Sequence, residues 1–248
     1  MECLSINNNF KNHIIMKKVL FMAPVLVLLG LNSGILSGQV KETRNVSGFS
    51  KVSFGVSGDL FIKIGPEFKL VIEGDKDILD EIETEVSGER LNIRKENWHF
   101  NFDNEKVTIN ITMPEIEGLG VSGSGKAQIL DNVESDNLSL NVSGSGKIIT
   151  SGLTVDRFDC GISGSGDIIL GSEGSIDSGD ISISGSGGFS GEGIEIDHLE
   201  VSISGSGDCR CKAGDSLEAH VSGSGNITYL GNPKVDARVS GSGHVRSK

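Results

Sequence analysis

Apolar and polar residues alternate along much of this chain, most regularly in its C-terminal half. Alternation with a period of two is typical of a β-strand that buries one face and exposes the other. The clearest instances are Leu138-x-Leu140-x-Val142, Phe158-x-Cys160-x-Ile162, Leu199-x-Val201-x-Ile203, Leu217-x-Ala219-x-Val221 and Val235-x-Ala237-x-Val239. We therefore predict a succession of strands whose apolar residues face one interior.

Each of these strands leads into the same motif, Val or Ile followed by Ser-Gly-Ser-Gly. Its seven copies lie 18 to 21 residues apart and begin at Val121, Val142, Ile162, Ile183, Ile203, Val221 and Val239. Two residues after each copy stands an interior candidate: Ala127, Ile148, Ile168, Phe189, Cys209, Ile227 or Val245. This period predicts a solenoid, whose coils bury their apolar residues against one another. The motif then forms a corner, because Gly readily supplies positive φ or a bulge.

Two other interpretations of the motif are excluded by its surroundings. The segment Gly120 to Lys126 fits the G-x-x-x-x-G-K pattern of a phosphate-binding loop. Such a loop needs a Ser or Thr next and opens a helix, whereas Ala127 follows and the pattern predicts a strand. A flexible Gly/Ser linker would not carry apolar columns on both sides of every copy.

Residues 39–118 lack the motif but also alternate. Strands are predicted in four segments, FGVSGDLFIKIG, FKLVIEGD, LNIRKE and KVTINITMP. Between the second and third, KDILDEIETEVSGE places Ile78, Leu79 and Ile82 at a spacing that favours a short helix. We predict an all-β protein with a strand-rich N-terminal region at 39–118 and a solenoid at 119–248.

The first 38 residues resemble a secretory signal peptide. Lys17 and Lys18 precede an apolar run from Val19 to Leu31, and small residues follow that run. The run is short for a membrane-spanning helix. We predict a true start at Met16, a signal peptide at 1–38, and a mature chain without a membrane-spanning segment in the periplasm, at the cell surface or secreted.

Composition narrows the classes of partner. Gly makes up 35 of 248 residues while apolar residues still account for 36%, which indicates a folded, turn-rich chain. The formal net charge of −12 makes nucleic acid and anionic membranes unfavourable partners.

The Cys and His residues do not predict a metal site, a disulfide or a cofactor. Cys160, Cys209 and Cys211 share the inward phase of their strands, whereas His198 and His220 fall on the outward phase. Buried Cys acting as a small apolar residue is the expectation. Cys209 and Cys211 are two residues apart in a strand, and Cys160 lies about two coils away.

The sequence also gives little evidence of catalytic groups. A polysaccharide-cleaving β-helix needs clustered acids and bases on one outer face. The nearest group is Asp156, Arg157 and Asp159, which we interpret as a solvated ion pair beside inward Phe158. The many Ser residues recur with the corner and have no partnered His, so they predict structure and not hydrolysis.

The best candidate for ligand binding is the aromatic stretch ENWHFNFDNE between two predicted strands. Its candidate residues are Trp98, His99, Phe100 and Phe102, and Trp98 is the only Trp of the chain. Aromatic side chains at a hairpin tip can stack on a sugar or dock a partner protein. The alternative is that they cover the end of the N-terminal sheet.

The segments VSGDLFIKIG, LVIEGDKDILDEIETEVSGERLNIR and KVTINITMPEIEGLGVSGSG, together with the SGSG repeats, resemble the auto-transporter adhesin head GIN-domain family of Bacteroidetes. The resemblance covers about residues 45–248. It implies a secreted, right-handed parallel β-helix without catalytic residues and a role in adhesion at the cell envelope. A ligand would then be a glycan or a surface protein.

Two alternatives to adhesion stay open at this point. A carbohydrate-active β-helix enzyme requires stacked outward acids and bases. An oligomeric envelope scaffold is favoured by the last coil, where only HVRSK follows the corner and nothing predicted covers the final strand. We expect that coil to promote a homo-oligomer, with Arg246 and Lys248 partly opposing it.

Overall fold

The computed structural model of the protein describes residues 39–95 and 107–248. These residues form one 17-stranded sheet and a single helix. The first elements are β1 (Val40–Arg44), β2 (Lys51–Gly55), β3 (Gly58–Ile64), β4 (Lys69–Gly74), α1 (Lys76–Glu81), β5 (Ile82–Ser87), β6 (Arg90–Lys95), β7 (Val107–Met113) and β8 (Gly118–Gly123). The others are β9 (Lys126–Gly144), β10 (Lys147–Gly164), β11 (Asp167–Ile169), β12 (Glu173–Gly185), β13 (Gly188–Gly205), β14 (Asp208–Gly223), β15 (Asn226–Leu230), β16 (Lys234–Gly241) and β17 (His244–Ser247). Within these residues, no helix is long and apolar enough to span a membrane.

The predicted β-solenoid is confirmed. From β8 onward, each strand pairs in parallel with the strand one coil later, and equivalent motif positions lie directly beside each other. In β10 the alternation of buried and exposed residues breaks near Gly152 and again at Arg157. These breaks divide a coil into three straight segments, and the Ser-Gly-Ser-Gly corner closes it.

Interior columns fill the solenoid as the sequence predicts, except in the last coil. There Val235, Ala237 and Val239 are exposed and Val245 is only partly buried, because no further coil packs on them within the described residues. The column after the corner is buried from Ala127 to Ile227, and the column that opens the motif is buried from Val121 to Val221. Leu60 pairs with Ala127 and Phe54 pairs with Val121, so both columns continue into the N-terminal region. One core therefore runs through both parts of the described chain.

The two glycines of each motif serve different purposes, as the third copy illustrates. Gly164 has φ of 115°, a conformation that side chains other than that of Gly rarely adopt. Gly166 is required by close packing, since a Cβ there would lie 2.4 Å from Gly146 O and 2.4 Å from Val142 Cγ1. Between them, the Ser165 N–H donates to Gly144 O at 2.8 Å and ties the corner to the preceding coil.

The N-terminal region adds two coils in an order that does not follow the sequence. The coil of β2 and β3 has β6 and β7 on one side and β8 and β9 on the other. The chain after β7 therefore crosses the β2–β3 coil before it enters β8. Glu117 contacts the β2–β3 coil at this crossing, since its carboxylate accepts a hydrogen bond from Ser50 Oγ at 2.8 Å and lies 3.4 Å from Lys51 Nζ.

Antiparallel strands cover the outer side of this region. β4 pairs with β7, β5 pairs with β6, and β1 pairs with β4, all antiparallel. The expected helix forms but is shorter than the segment that suggested it, because Ile82 begins β5 and that strand pairs along its length with β6. The predicted strand over FGVSGDLFIKIG is also divided, because Val56 and Ser57 form a corner between β2 and β3.

Candidate binding face

One side of the solenoid presents the same outward positions in six consecutive coils. We call it the lateral face and define it by the outward residues of the straight segment that precedes each corner, from residues 137–143 in β9 to residues 234–240 in β16. Parallel register places equivalent residues of neighbouring coils side by side. Adjacent strands lie about 4.8 Å apart, so each outward position becomes a column with that repeat.

An acidic column runs along the lateral face. It consists of five residues in consecutive coils: Asp159, Asp180, Glu200, Glu218 and Asp236. All five side chains are exposed. Like charges in register repel one another across strands, so the column creates a ridge of negative potential.

Neighbouring side chains on the same strand contact three of these carboxylates. Ser182 Oγ lies 3.3 Å from the Asp180 carboxylate, and His220 Nε2 lies 3.0 Å from that of Glu218. Arg238 Nη2 lies 3.7 Å from the Asp236 carboxylate. Within the described residues, Asp159 and Glu200 have no such contact.

A groove of about 760 Å³ runs beside the acidic column, towards the corners. The first Ser of the last six motifs forms one wall, and Gly161, Ser182 and Ser202 contribute to the other. The Val or Ile that opens each of these six motifs also lines the groove. His220 and Arg238 stand on that second wall near the last coil. A second groove of about 550 Å³ lies over the acidic column itself, with Arg157 in an early coil and Lys234 in the last.

The lateral face corrects one expectation about Ser and His. The sequence suggested no partnered His, yet His198 Nδ1 lies 3.1 Å from Ser216 Oγ. The register causes this, because residue 198 of β13 pairs with residue 216 of β14 across 18 residues of chain. Among the described residues, no carboxylate hydrogen-bonds the His198 ring, so the orienting member of a catalytic triad is not in place.

The group Asp156, Arg157 and Asp159 also differs from expectation. All three side chains are exposed, as the phase predicted for Arg157 and Asp159. In the part of the chain that the structure describes, however, Arg157 forms no ion pair with either acid. Separate solvation explains this, since exposed pairs gain little from contact. The three residues do not converge on a common site.

The cysteines lie in the core, as their strand phase predicted. Cys160, Cys209 and Cys211 are buried and free. Burial raises the pKa of the Cys160 thiol. The pKa of the Cys209 thiol is raised by a hydrogen bond between Cys209 and Cys211, together with burial. Protonated, enclosed thiols are poor nucleophiles and poor metal ligands. Over residues 39–95 and 107–248, no cluster of His, Cys, Asp or Glu is arranged to hold a metal ion.

The aromatic candidates Trp98, His99, Phe100 and Phe102 lie outside the described residues. The strands on either side are β6, which ends at Lys95, and β7, which begins at Val107. Both belong to the N-terminal coil farthest from the repeats. The role of the four residues remains a prediction.

Sequence reasoning missed the acidic column, although a signal for it exists. Its members stand three residues before the Val or Ile that opens each of the last five motifs. This position has the outward phase, so a recurring acid there predicts a charged column once the coils are stacked in register.

Comparison with solved structures supports the fold. A putative adhesin from Bacteroides fragilis is similar with a TM-score of 0.79 at 24% identity, covering 85% of this chain and 97% of that one. A putative lipid binding protein from Parabacteroides distasonis has a TM-score of 0.70 at 23% identity, covering 85% and 96%. A putative adhesin from Parabacteroides merdae has a TM-score of 0.66 at 20% identity with the same coverage. At these identities the likeness concerns the fold alone.

The sequence comparisons identify the family. No curated protein matches the chain significantly. The family described as "Putative auto-transporter adhesin, head GIN domain" matches residues 48–233, which is most of the chain. The match covers the N-terminal coils and six of the seven SGSG repeats, so the chain belongs to this family.

Proposed function

We propose that the protein is an exported, non-catalytic β-solenoid that binds a glycan or a surface protein as an adhesin does. The observation that carries this proposal is the lateral face, which repeats one set of outward positions over six coils. A surface with a repeat of about 4.8 Å suits an extended ligand that lies along the solenoid. Export to the periplasm, the cell surface or the medium is part of the proposal.

The shape of the groove favours a polymer over a compact substrate. The small residues Ser and Gly leave the groove shallow and continuous across the coils, and the carboxylates beside it add acceptors for hydroxyl or ammonium groups. Enclosed sites for small substrates are concave and hold convergent polar groups, which the lateral face does not provide. The description of one neighbour as lipid binding raises a lipid as an alternative, and the Val or Ile of six motifs does line the groove, but the groove is open and does not enclose an acyl chain.

The aromatic segment provides a second contact point within the same proposal. Trp98 and Phe100 follow β6 closely in sequence, and aromatic rings stack readily on sugar faces. An adhesin could therefore hold its ligand through the lateral face, through this segment, or through both.

The test is a glycan array and a pull-down from cell-surface extracts with the purified protein and three paired variants. Ser184→Gln with Ser204→Gln narrows the groove without adding charge. Ser186→Gln with Ser206→Gln is the matched control, because these exposed serines stand at the same corners but do not line the groove. Trp98→Ala with Phe100→Ala removes the aromatic contacts.

We expect a specific ligand that the control pair retains and that the groove pair or the aromatic pair loses at least tenfold in affinity. Binding that survives both changes would contradict the proposed surfaces. Absence of any ligand on the array and in the extracts would contradict adhesion itself.

A further inference from the structure

Strand pairing differs between the first and last coils of the described residues. At the N-terminal end, β6 and β7 are covered by antiparallel β5 and β4. In the last coil, β16 pairs only with β14 and β17 only with β15, so within the described residues their outer edges are unpaired. Val235 and Val239 on β16 are 38% and 44% exposed, whereas their counterparts Leu217 and Val221 one coil earlier are buried.

We propose that the outer edge of β16 pairs antiparallel with β16 of a second copy, about a two-fold axis at Ala237. An unpaired strand edge with exposed apolar residues is a template for strand addition. The opposite end of the same fold already shows that its parallel coils accept antiparallel strands. A two-fold contact uses one surface twice and closes without forming a filament.

The register follows from the sequence of β16, KVDARVSG. With the axis at Ala237, Asp236 of each copy lies opposite Arg238 of the other, which gives two opposite-charge pairs. Val235 then faces Val239 of the second copy, and all apolar residues stay on the core side of the joined sheet.

Neighbouring registers are less favourable. An axis at Asp236 sets the two Asp236 carboxylates opposite each other and Lys234 opposite Arg238. An axis at Arg238 sets the two guanidinium groups opposite each other. Like charges directly opposite on neighbouring strands are destabilising, so these registers lose the pairing that Ala237 provides.

This inference does not depend on the proposed ligand. The first test is analytical ultracentrifugation of the full-length protein over a range of concentrations, with two changes of charge. Asp236→Arg should weaken the dimer about tenfold or more, because both cross-strand pairs become repulsive. Adding Arg238→Asp restores opposite charges in the same register and should restore the dimer. The matched control Asp180→Arg changes an acid of the same column three coils earlier and should leave association unchanged.

A second test fixes the register by oxidation. At the axis the two Ala237 Cα atoms would lie about 4.5–5.5 Å apart, within the range that a disulfide spans. Ala237→Cys should therefore cross-link two copies, whereas Val239→Cys on the same strand should not, because its counterpart lies four residues away along the partner strand. Circular dichroism confirms that each variant folds.

A protein that stays monomeric at high micromolar concentration would overturn the proposal. So would a dimer that survives Asp236→Arg, a charge exchange that fails to restore association, or cross-linking through Val239→Cys in preference to Ala237→Cys.

Discussion

Replacing Gly166 by Ala tests whether the second glycine of the motif is fixed by packing. The added Cβ would stand 2.4 Å from the Gly146 carbonyl oxygen and 2.4 Å from Val142 Cγ1, where ordinary contacts begin near 3.4 Å. One of the contacted groups is main chain, so a side-chain rotation alone cannot relieve the clash. The coils must separate locally by roughly 1 Å, and overpacking of this kind costs about 1–3 kcal/mol.

The separation also strains the hydrogen bond from the Asp167 N–H to Gly146 O, which is 3.1 Å long. Weakening that bond adds about 1 kcal/mol. Ala also lowers the conformational entropy of the unfolded chain, which offsets about 0.4–1 kcal/mol of this loss of stability. We therefore expect Gly166→Ala to lower the free energy of unfolding by about 2–3 kcal/mol and the melting temperature by roughly 5–10 °C.

Gly120→Ala is the matched control. Gly120 has no atom within 4 Å of its would-be Cβ, and its φ is not positive. Its replacement should be neutral or slightly stabilising. Urea and thermal unfolding followed by far-ultraviolet circular dichroism measure both variants. Equal midpoints for the two variants would refute the close-packing explanation of the motif.

Three further changes test the core, the crossing and the acidic column. Ile168→Asp buries an unpaired carboxylate at a fully buried position and should lower the free energy of unfolding by about 4 kcal/mol or more. Asp167→Asn removes only an exposed ion pair and should lower it by under about 1 kcal/mol. Similar values for the two variants in urea unfolding would contradict the coil register. The hydrogen bond from Ser50, aided by Lys51, lowers the pKa of Glu117, so its stabilisation is present above the ordinary pKa of 4.5 and is lost as the pH falls through the lowered value. Glu117→Gln should thus reduce stability by less than about 1 kcal/mol at neutral pH, and a deficit of unchanged size well below that pKa would refute the assignment. The triple variant Asp180→Asn, Glu200→Gln and Glu218→Gln neutralises three central acids of the column and should raise the melting temperature by about 2–4 °C at low ionic strength, and by less in high salt. The control neutralises three exposed acids outside the column, Glu67, Glu115 and Glu134. An equal gain in the control would refute repulsion within the column.

The repeat region could be predicted from sequence because each of its coils repeats the same local information. Alternation around each motif identifies the inward residues, and near-constant spacing brings those residues into columns such as Val142 to Ile162 to Ile183. Packing leaves few other arrangements for such a pattern. The corner at Gly164 was predictable for the same reason, because it requires only the positive φ that Gly readily adopts.

The order of the N-terminal coils could not be predicted in this way. Nothing in the local pattern of β2 says which of its two edges will receive β6 and which will receive β8. That choice depends on the crossing near Glu117, which is a contact between residues far apart in sequence. The length of α1 was overestimated for a related reason, because pairing of β5 with β6 outweighs the helical spacing of Ile78 and Ile82.

The contact between His198 and Ser216 also depends on register, and sequence spacing alone does not reveal it. The acidic column was easier to predict from the sequence, since all five members stand at a fixed offset from the motif. The aromatic segment around Trp98 lies outside the repeats in the sequence, so no periodicity predicts its position.

Coil length varies from 18 to 21 residues, and the location of that variation bears on which surface binds. The register between β13 and β14 shifts between Gly191 and Glu195 and again between Ile196 and His198, on the way to the lateral face. From His198 to Gly205 the pairing is unbroken, as it is for the equivalent segments of the other coils. Insertions are thus absorbed elsewhere, and the lateral face keeps one geometry in every coil. Stacked acids on that face oppose folding, so the fold itself gives no reason for them. Recognition of a partner, as proposed above, would account for a regular surface that carries this energetically unfavourable charge pattern.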